Sequence, residues 1–140
     1  MEVQINLLAV ALATVAGMVV SAVWYSERVF GEAWCKLTKL KGKALKIEST
    51  EGVVIIFITS LITAYVLAHL TYLAHAFFGN SYLKDAYVTA FWIWFGIVGV
   101  RIIAHDTFQR RPVKLTAINA GHELVTLLVM AIIIGSMGLG

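Results

Sequence analysis

Long apolar runs separated by short polar stretches set the frame of this chain. They extend from about Ile5 to Tyr25, Val53 to Phe77, Tyr82 to Ala104 and Val113 to Gly138. Each has the roughly 20 apolar residues that a helix needs to cross a bilayer. The stretch between the second and third runs, around Gly79 and Asn80, is short enough to predict a tight turn. Pro112 stands where the fourth helix would begin, a place that tolerates a missing backbone N–H. Residues 27–51 have a pattern of their own. Val29, Phe30, Ala33, Trp34, Leu37 and Leu40 recur at helical spacing, while the lysines cluster elsewhere. This predicts a short amphipathic helix on the inner membrane surface. Trp24, Tyr25, Phe30 and Trp34 are its expected interfacial anchors, and its lysines would each contribute on the order of 1 kcal/mol against anionic headgroups.

Composition supports this frame. The 140 residues are 60% hydrophobic and 14% charged, with mean hydropathy +0.86. A soluble domain carries roughly 25% charged residues, and a small globule cannot bury this much apolar surface. The expected fold is an all-α integral membrane protein. It is a single domain over residues 1–140, an antiparallel bundle of four transmembrane helices with the amphipathic helix between spans one and two. The opening residues, Met1 to Gln4, lack the positive charge of a cleavable leader, so the first run is expected to be retained.

The net charge of +3 comes from topology rather than nucleic-acid binding. Ten of the eleven basic residues fall in the first loop or around the third connection: Arg28, Lys36, Lys39, Lys41, Lys43, Lys46, Arg101, Arg110, Arg111 and Lys114. Only Lys84 lies on the other side. Basic loops face the cytoplasm, so both termini are expected outside the cell membrane. The single cysteine, Cys35, excludes an intrachain disulfide and a paired-cysteine metal site.

Small residues recur every fourth position on span one, at Ala9, Ala13, Gly17 and Ser21, and on span two, at Ser60, Ala64 and Ala68. Such stripes let helix backbones approach closely, within the chain or between copies. Span three holds Phe91, Trp92, Trp94 and Phe95 near its middle. Tryptophan prefers interfaces, so these indoles either find a partner inside the bundle or fill a groove facing lipid.

Ionisable residues inside a membrane need a partner or a purpose. Tyr65, His69 and Tyr72 share one face of span two. Asn119, His122, Glu123 and Thr126 share one face of span four. Together Tyr65, His69, Tyr72, Asn119, His122 and Glu123 form a candidate polar seam, if spans two and four face each other. Arg101, His105 and Asp106 form a candidate cluster at the inner end of span three. With inner edges at Val53, Ala104 and Val113, Asn119 lies about 9 Å deep and His122 and Glu123 about 14 to 15 Å. Tyr65 lies about 18 Å deep, His69 about 24 Å, Tyr72 about 28 Å and His75 about 33 Å. His69 and His122 therefore differ by about 10 Å in level. That disfavours bis-histidine haem within one chain, and also a compact metal site, whose ligands must lie about 2 Å from one ion. No cofactor is expected. Glu123 is the residue least explained by packing, and is expected to be protonated or paired with His122, Arg101 or another subunit.

Three segments carry a family resemblance: Trp24-Tyr25-Ser26 with Phe30-Gly31 and Trp34; Phe91 to Gly96; and Ile118-Asn119-Ala120-Gly121 with Leu124-Val125. With four spans at this length, the chain resembles the membrane family called domain of unknown function 1761. Glu27 stands where relatives usually carry proline. The resemblance implies fold and membrane location, and supplies no activity. No Ser-His-Asp spacing, phosphate loop, HExxH or paired-cysteine motif appears, so an enzyme is not expected. The expected partners are the lipid bilayer and either further copies or other membrane subunits. One reading is a homo-oligomer that binds or passes a small solute, ion or proton along the seam. The alternative is an accessory subunit of a larger membrane complex, and a weaker third is a haem- or quinone-binding electron carrier.

Overall fold

The computed structural model describes residues 3–39 and 50–139, and contains no strand among them. Leu40, Lys41, Lys43 and Lys46 of the expected amphipathic segment lie outside the described residues. The helices are α1 (Leu7–Trp24), α2 (Gly31–Thr38), α3 (Thr50–Phe78), α4 (Tyr82–Ile93), α5 (Val100–Phe108) and α6 (Val113–Met137). A π-helical segment, Trp94–Gly99, joins α4 to α5 without a break. Four helical stretches are long and apolar enough to cross a membrane: Leu7–Trp24, Thr50–Phe78, Tyr82–Phe108 and Val113–Met137.

Local chemistry sets the helix ends. The Asn6 side chain caps α1 by accepting from the Ala9 N–H at 3.1 Å. α3 ends at Gly79, whose φ of +64° suits a residue without Cβ. Its N–H donates to the His75 carbonyl at 2.9 Å. Ser81 then caps α4 through the Lys84 N–H. The third stretch runs four residues beyond the expected Ala104. It stops in a Schellman turn, with Arg110 at φ 53° and its N–H on the Thr107 carbonyl, and the Arg111 N–H on the Asp106 carbonyl. Pro112, just before α6, cannot continue the preceding helix.

α1 and α4 each pack against both α3 and α6, while α3 and α6 meet only along a short stretch. The small-residue stripes lie in these contacts. Ala9, Ala13, Ala64 and Ala68 are buried. A Cβ on Gly17 would run into the Met130 side chain of α6, with Ser60 of α3 close by. The close neighbours of both stripes are thus within the same chain. Val10, Leu67, Leu127, Met130 and Ile134 complete an apolar core.

The aromatic residues of the third stretch divide between the two expected outcomes. Trp94 turns inward and donates its indole N–H to the Ala120 carbonyl at 2.8 Å. Trp92 remains 61% exposed, beside Phe95.

Candidate functional site

The polar groups gather on two successive turns of α6, residues 118–123, and their partners come from α1, α2 and the π segment. The Trp24 indole donates to the Ile118 carbonyl at 3.1 Å, and Trp94 does the same to Ala120 from the π segment. A backbone carbonyl has two lone pairs, so each can accept an indole as well as its helical N–H. Asn119 Oδ1 accepts twice, from the Tyr25 hydroxyl and from the Trp34 indole of α2, each at 3.2 Å. Gly121 leaves room for the Trp24 ring, which would stand 3.2 Å from a Cβ there. All three segments that carry the family resemblance thus meet on this stretch of α6.

The loop from α1 to α2 is built for this docking. The Phe30 N–H donates to the Trp24 carbonyl, and the Gly31 N–H to the Ser26 carbonyl at 2.9 Å. Gly31 packs so closely on this loop that a Cβ would collide with the Tyr25 carbonyl. Backbone hydrogen bonds close the turn that contains Glu27. Phe30 stacks near Trp24, with ring centroids 4.7 Å apart, and Trp34 meets Tyr25 edge-on. Trp24, Tyr25, Phe30 and Trp34 were expected as interfacial anchors. Their ring contacts and hydrogen bonds hold α1 and α2 against α6, because polar acceptors on α6 lie within reach of their N–H and O–H groups.

Next to these contacts lies an ionisable pair. His122 is 9% exposed. Its Nε2 lies 2.9 Å from Ser21 Oγ and 3.4 Å from Thr126 Oγ1. Its Nδ1 lies 3.3 Å from Glu123 Oε1. The Glu123 side chain is 41% exposed and lines a groove of about 240 Å³ with Ile62, Val66, Ile93, Val98 and Leu127. The carboxylate bonds to His122, and apart from Thr63, whose hydroxyl donates to the Thr59 carbonyl of its own helix, the groove walls are apolar.

The expected seam divides in two. Asn119, His122 and Glu123 belong to the site. Tyr65 is 45% exposed and stacks edge-on against His69, whose Nδ1 bonds to the Tyr65 carbonyl of its own helix at 3.0 Å. Tyr72 is half-buried on α3. The seam required spans two and four to face each other along their length. Here α1 and α4 lie between them, because their small residues let them pack closely on both.

The inner-end cluster is also rearranged. Arg101 and His105 are exposed, and His105 meets Gln109. Asp106 turns inward, 4% exposed. It accepts from the Thr116 hydroxyl at 2.9 Å and pairs with Arg111 at 3.7 Å. A parallel arrangement at the other helical turn was not foreseen. Asp85, also 4% exposed, accepts from Asn80 at 3.0 Å and meets His75 Nδ1 at 3.1 Å. In both cases an aspartate is joined to a residue ten positions away and to the residue midway between them.

Among the described residues, no three histidine, cysteine or acidic side chains come together as a metal-binding group. No curated protein and no solved structure matches the chain. The model of the family described as protein of unknown function (DUF1761) matches residues 8–135. That match covers all three motif segments and nearly the whole sequence, and the chain belongs to this family.

Proposed function

We propose that the chain is an antiparallel four-helix membrane bundle, working as an assembly of copies, that binds and exchanges a proton or small cation at the His122–Glu123 pair. The observation that carries this reading is the half-exposed carboxyl of Glu123, held by one histidine in a mostly apolar groove. With the inner end of α6 at Val113, the pair lies about 15 Å deep, close to the centre of a hydrocarbon core roughly 30 Å thick. A carboxyl there is retained at a cost in stability and is by default a functional group.

Hydrogen accounting supports the proton. The Ser21 hydroxyl lies 3.1 Å from the Gly17 carbonyl and has one hydrogen to give. With that hydrogen on Gly17, Ser21 Oγ accepts from His122 Nε2–H, and Nδ1 faces Glu123 Oε1. A lone pair on Nδ1 and a carboxylate oxygen repel each other unless a proton or another cation lies between them. In the other tautomer Ser21 donates to Nε2 and Nδ1–H donates to Glu123, so either arrangement puts one exchangeable hydrogen between His122 and Glu123.

The route across the membrane supports an assembly. Past Thr126, the inward residues Leu127, Met130, Ala131 and Ile134 are buried and apolar, so a path from the pair would run along the groove between copies. The same observation favours the second reading, an accessory subunit in a larger complex.

Proteoliposomes with an internal pH dye and a potassium–valinomycin potential test the proposal. Proton flux is expected in the parent protein, with at least a tenfold loss in Glu123→Gln and in His122→Ala. No flux in the parent, or equal flux in both variants, would sink it. Stoichiometric recovery of another polypeptide after gentle extraction would favour the accessory subunit.

A further inference from the structure

A second groove, away from Glu123, lies between α5, the π segment and α6. It holds about 530 Å³, within the roughly 300–1,000 Å³ of pockets that hold small ligands. Trp94, Arg111, Val113, Ala117, Gly121 and Leu124 are among its lining residues, and among the described residues none of its lining is acidic. From Val113 to Leu124 the wall formed by α6 rises about 16 Å, close to half of a hydrocarbon core roughly 30 Å thick. The groove is one leaflet deep.

Its polarity is graded. Arg111 and Thr116 lie at the end where α6 begins, and Leu124 and Gly121 at the far end. Arg110 and Lys114 are exposed beside that first end. Arg111 meets Asp106 through Nε at 3.7 Å, longer than a hydrogen bond, and its side chain stays 42% exposed, open to a second oxyanion. Arginine suits phosphate because its fork matches the oxygen geometry.

We infer that this groove is a binding site for one anionic phospholipid of the cytoplasmic leaflet, with an acyl chain along Ala117 and Gly121 and the phosphate at Arg111. Charge complementarity and one-leaflet depth select this occupant over a second copy of the chain. Anionic lipids concentrate in that leaflet and attract basic residues near the surface. The inference rests on the membrane reading of the fold but not on the cation site at Glu123.

The test is native mass spectrometry of the full chain, equilibrated with equal phosphatidylglycerol and phosphatidylcholine. Resistance to a carbonate wash, with release by detergent, first checks the membrane reading separately. The parent is expected to retain one phosphatidylglycerol per chain, about tenfold over phosphatidylcholine. Ala117→Phe fills the groove and leaves every cation in place. Arg111→Gln leaves the groove open and removes the charge. Both should reduce the preference to under twofold. A parent without preference overturns the inference. So does Ala117→Phe with its preference intact, since surface charge alone would then hold the lipid. A dimer that excludes lipid from the groove overturns it in favour of a second copy.

Discussion

Asn119→Leu tests how α2 is held. Asn119 Oδ1 is the shared acceptor for the Trp34 indole and the Tyr25 hydroxyl, each at 3.2 Å. Leucine keeps approximate size and removes the acceptor from both donors. A hydrogen bond between membrane helices contributes about 0.6 kcal/mol on average and up to about 1.7. Of the two donors, Trp34 is the one carried by α2. At about 1.4 kcal/mol for each factor of ten, its undocked population should rise roughly 3-fold to 20-fold. Cys35, the neighbour of Trp34, is half-buried on α2 and reports the change. Its alkylation rate by a maleimide should rise by that factor in Asn119→Leu. Tyr25→Phe removes the other donor, spares the indole's acceptor, and should raise the rate less. A change under twofold in Asn119→Leu, or an equal change in Tyr25→Phe, would show that this bond does not dock α2.

Two further predictions rest on packing and sidedness. A Cβ on Gly135 would lie 2.7 Å from the Leu83 Cα and 3.0 Å from the Ala86 Cβ, so Gly135→Ala must push α4 and α6 apart. The expected loss is about 1–3 kcal/mol, read as a lower midpoint of thermal unfolding in detergent; an unchanged midpoint would contradict this contact. If the basic loops face the cytoplasm, an impermeant maleimide should label Cys35 in inside-out vesicles and not in right-side-out ones, and the opposite result would invert the topology.

The helices were legible in the sequence because the length of an apolar run directly reports a span. The turn at Gly79 was legible for a similar reason, since a positive φ there suits glycine. The third helix runs past the expected Ala104 because polar residues such as His105 and Asp106 do not by themselves stop a helix. The stop comes from Arg110, Arg111 and Pro112. The polar face of α6 was also legible, but its partners were not. Helical spacing shows which residues share a face, and says nothing about which helix that face meets. Ser21 looked like one more small residue in a stripe, and proved to be the partner of His122 at 2.9 Å. Trp24 and Trp34 looked like belt residues because an indole is at home at an interface, and their acceptors on α6 lie about 85 to 94 positions away in sequence.

One missed signal was available. Across a short turn between two helices, residues equally distant from its centre come together. His75 and Asp85 flank Asn80 in this way, and Asp106 and Thr116 flank Arg111. In each turn a buried aspartate accepts from, or pairs with, the central residue as well. Carboxylates that could have been taken for membrane-embedded sites are therefore helix-hairpin clasps, leaving Glu123 as the half-exposed carboxyl facing a mostly apolar groove.

Dicyclohexylcarbodiimide tests that distinction most directly. This apolar reagent adds to a carboxylic acid and rearranges to a stable N-acylurea, which peptide mass mapping locates. Asp85 and Asp106 are each 4% exposed, whereas the Glu123 side chain is 41% exposed. In proteoliposomes the reagent should modify Glu123, spare both aspartates, and abolish proton flux in parallel with modification, while a water-soluble carbodiimide leaves Glu123 intact. An unmodified Glu123, or modification with flux unchanged, would contradict a cation site at the His122–Glu123 pair.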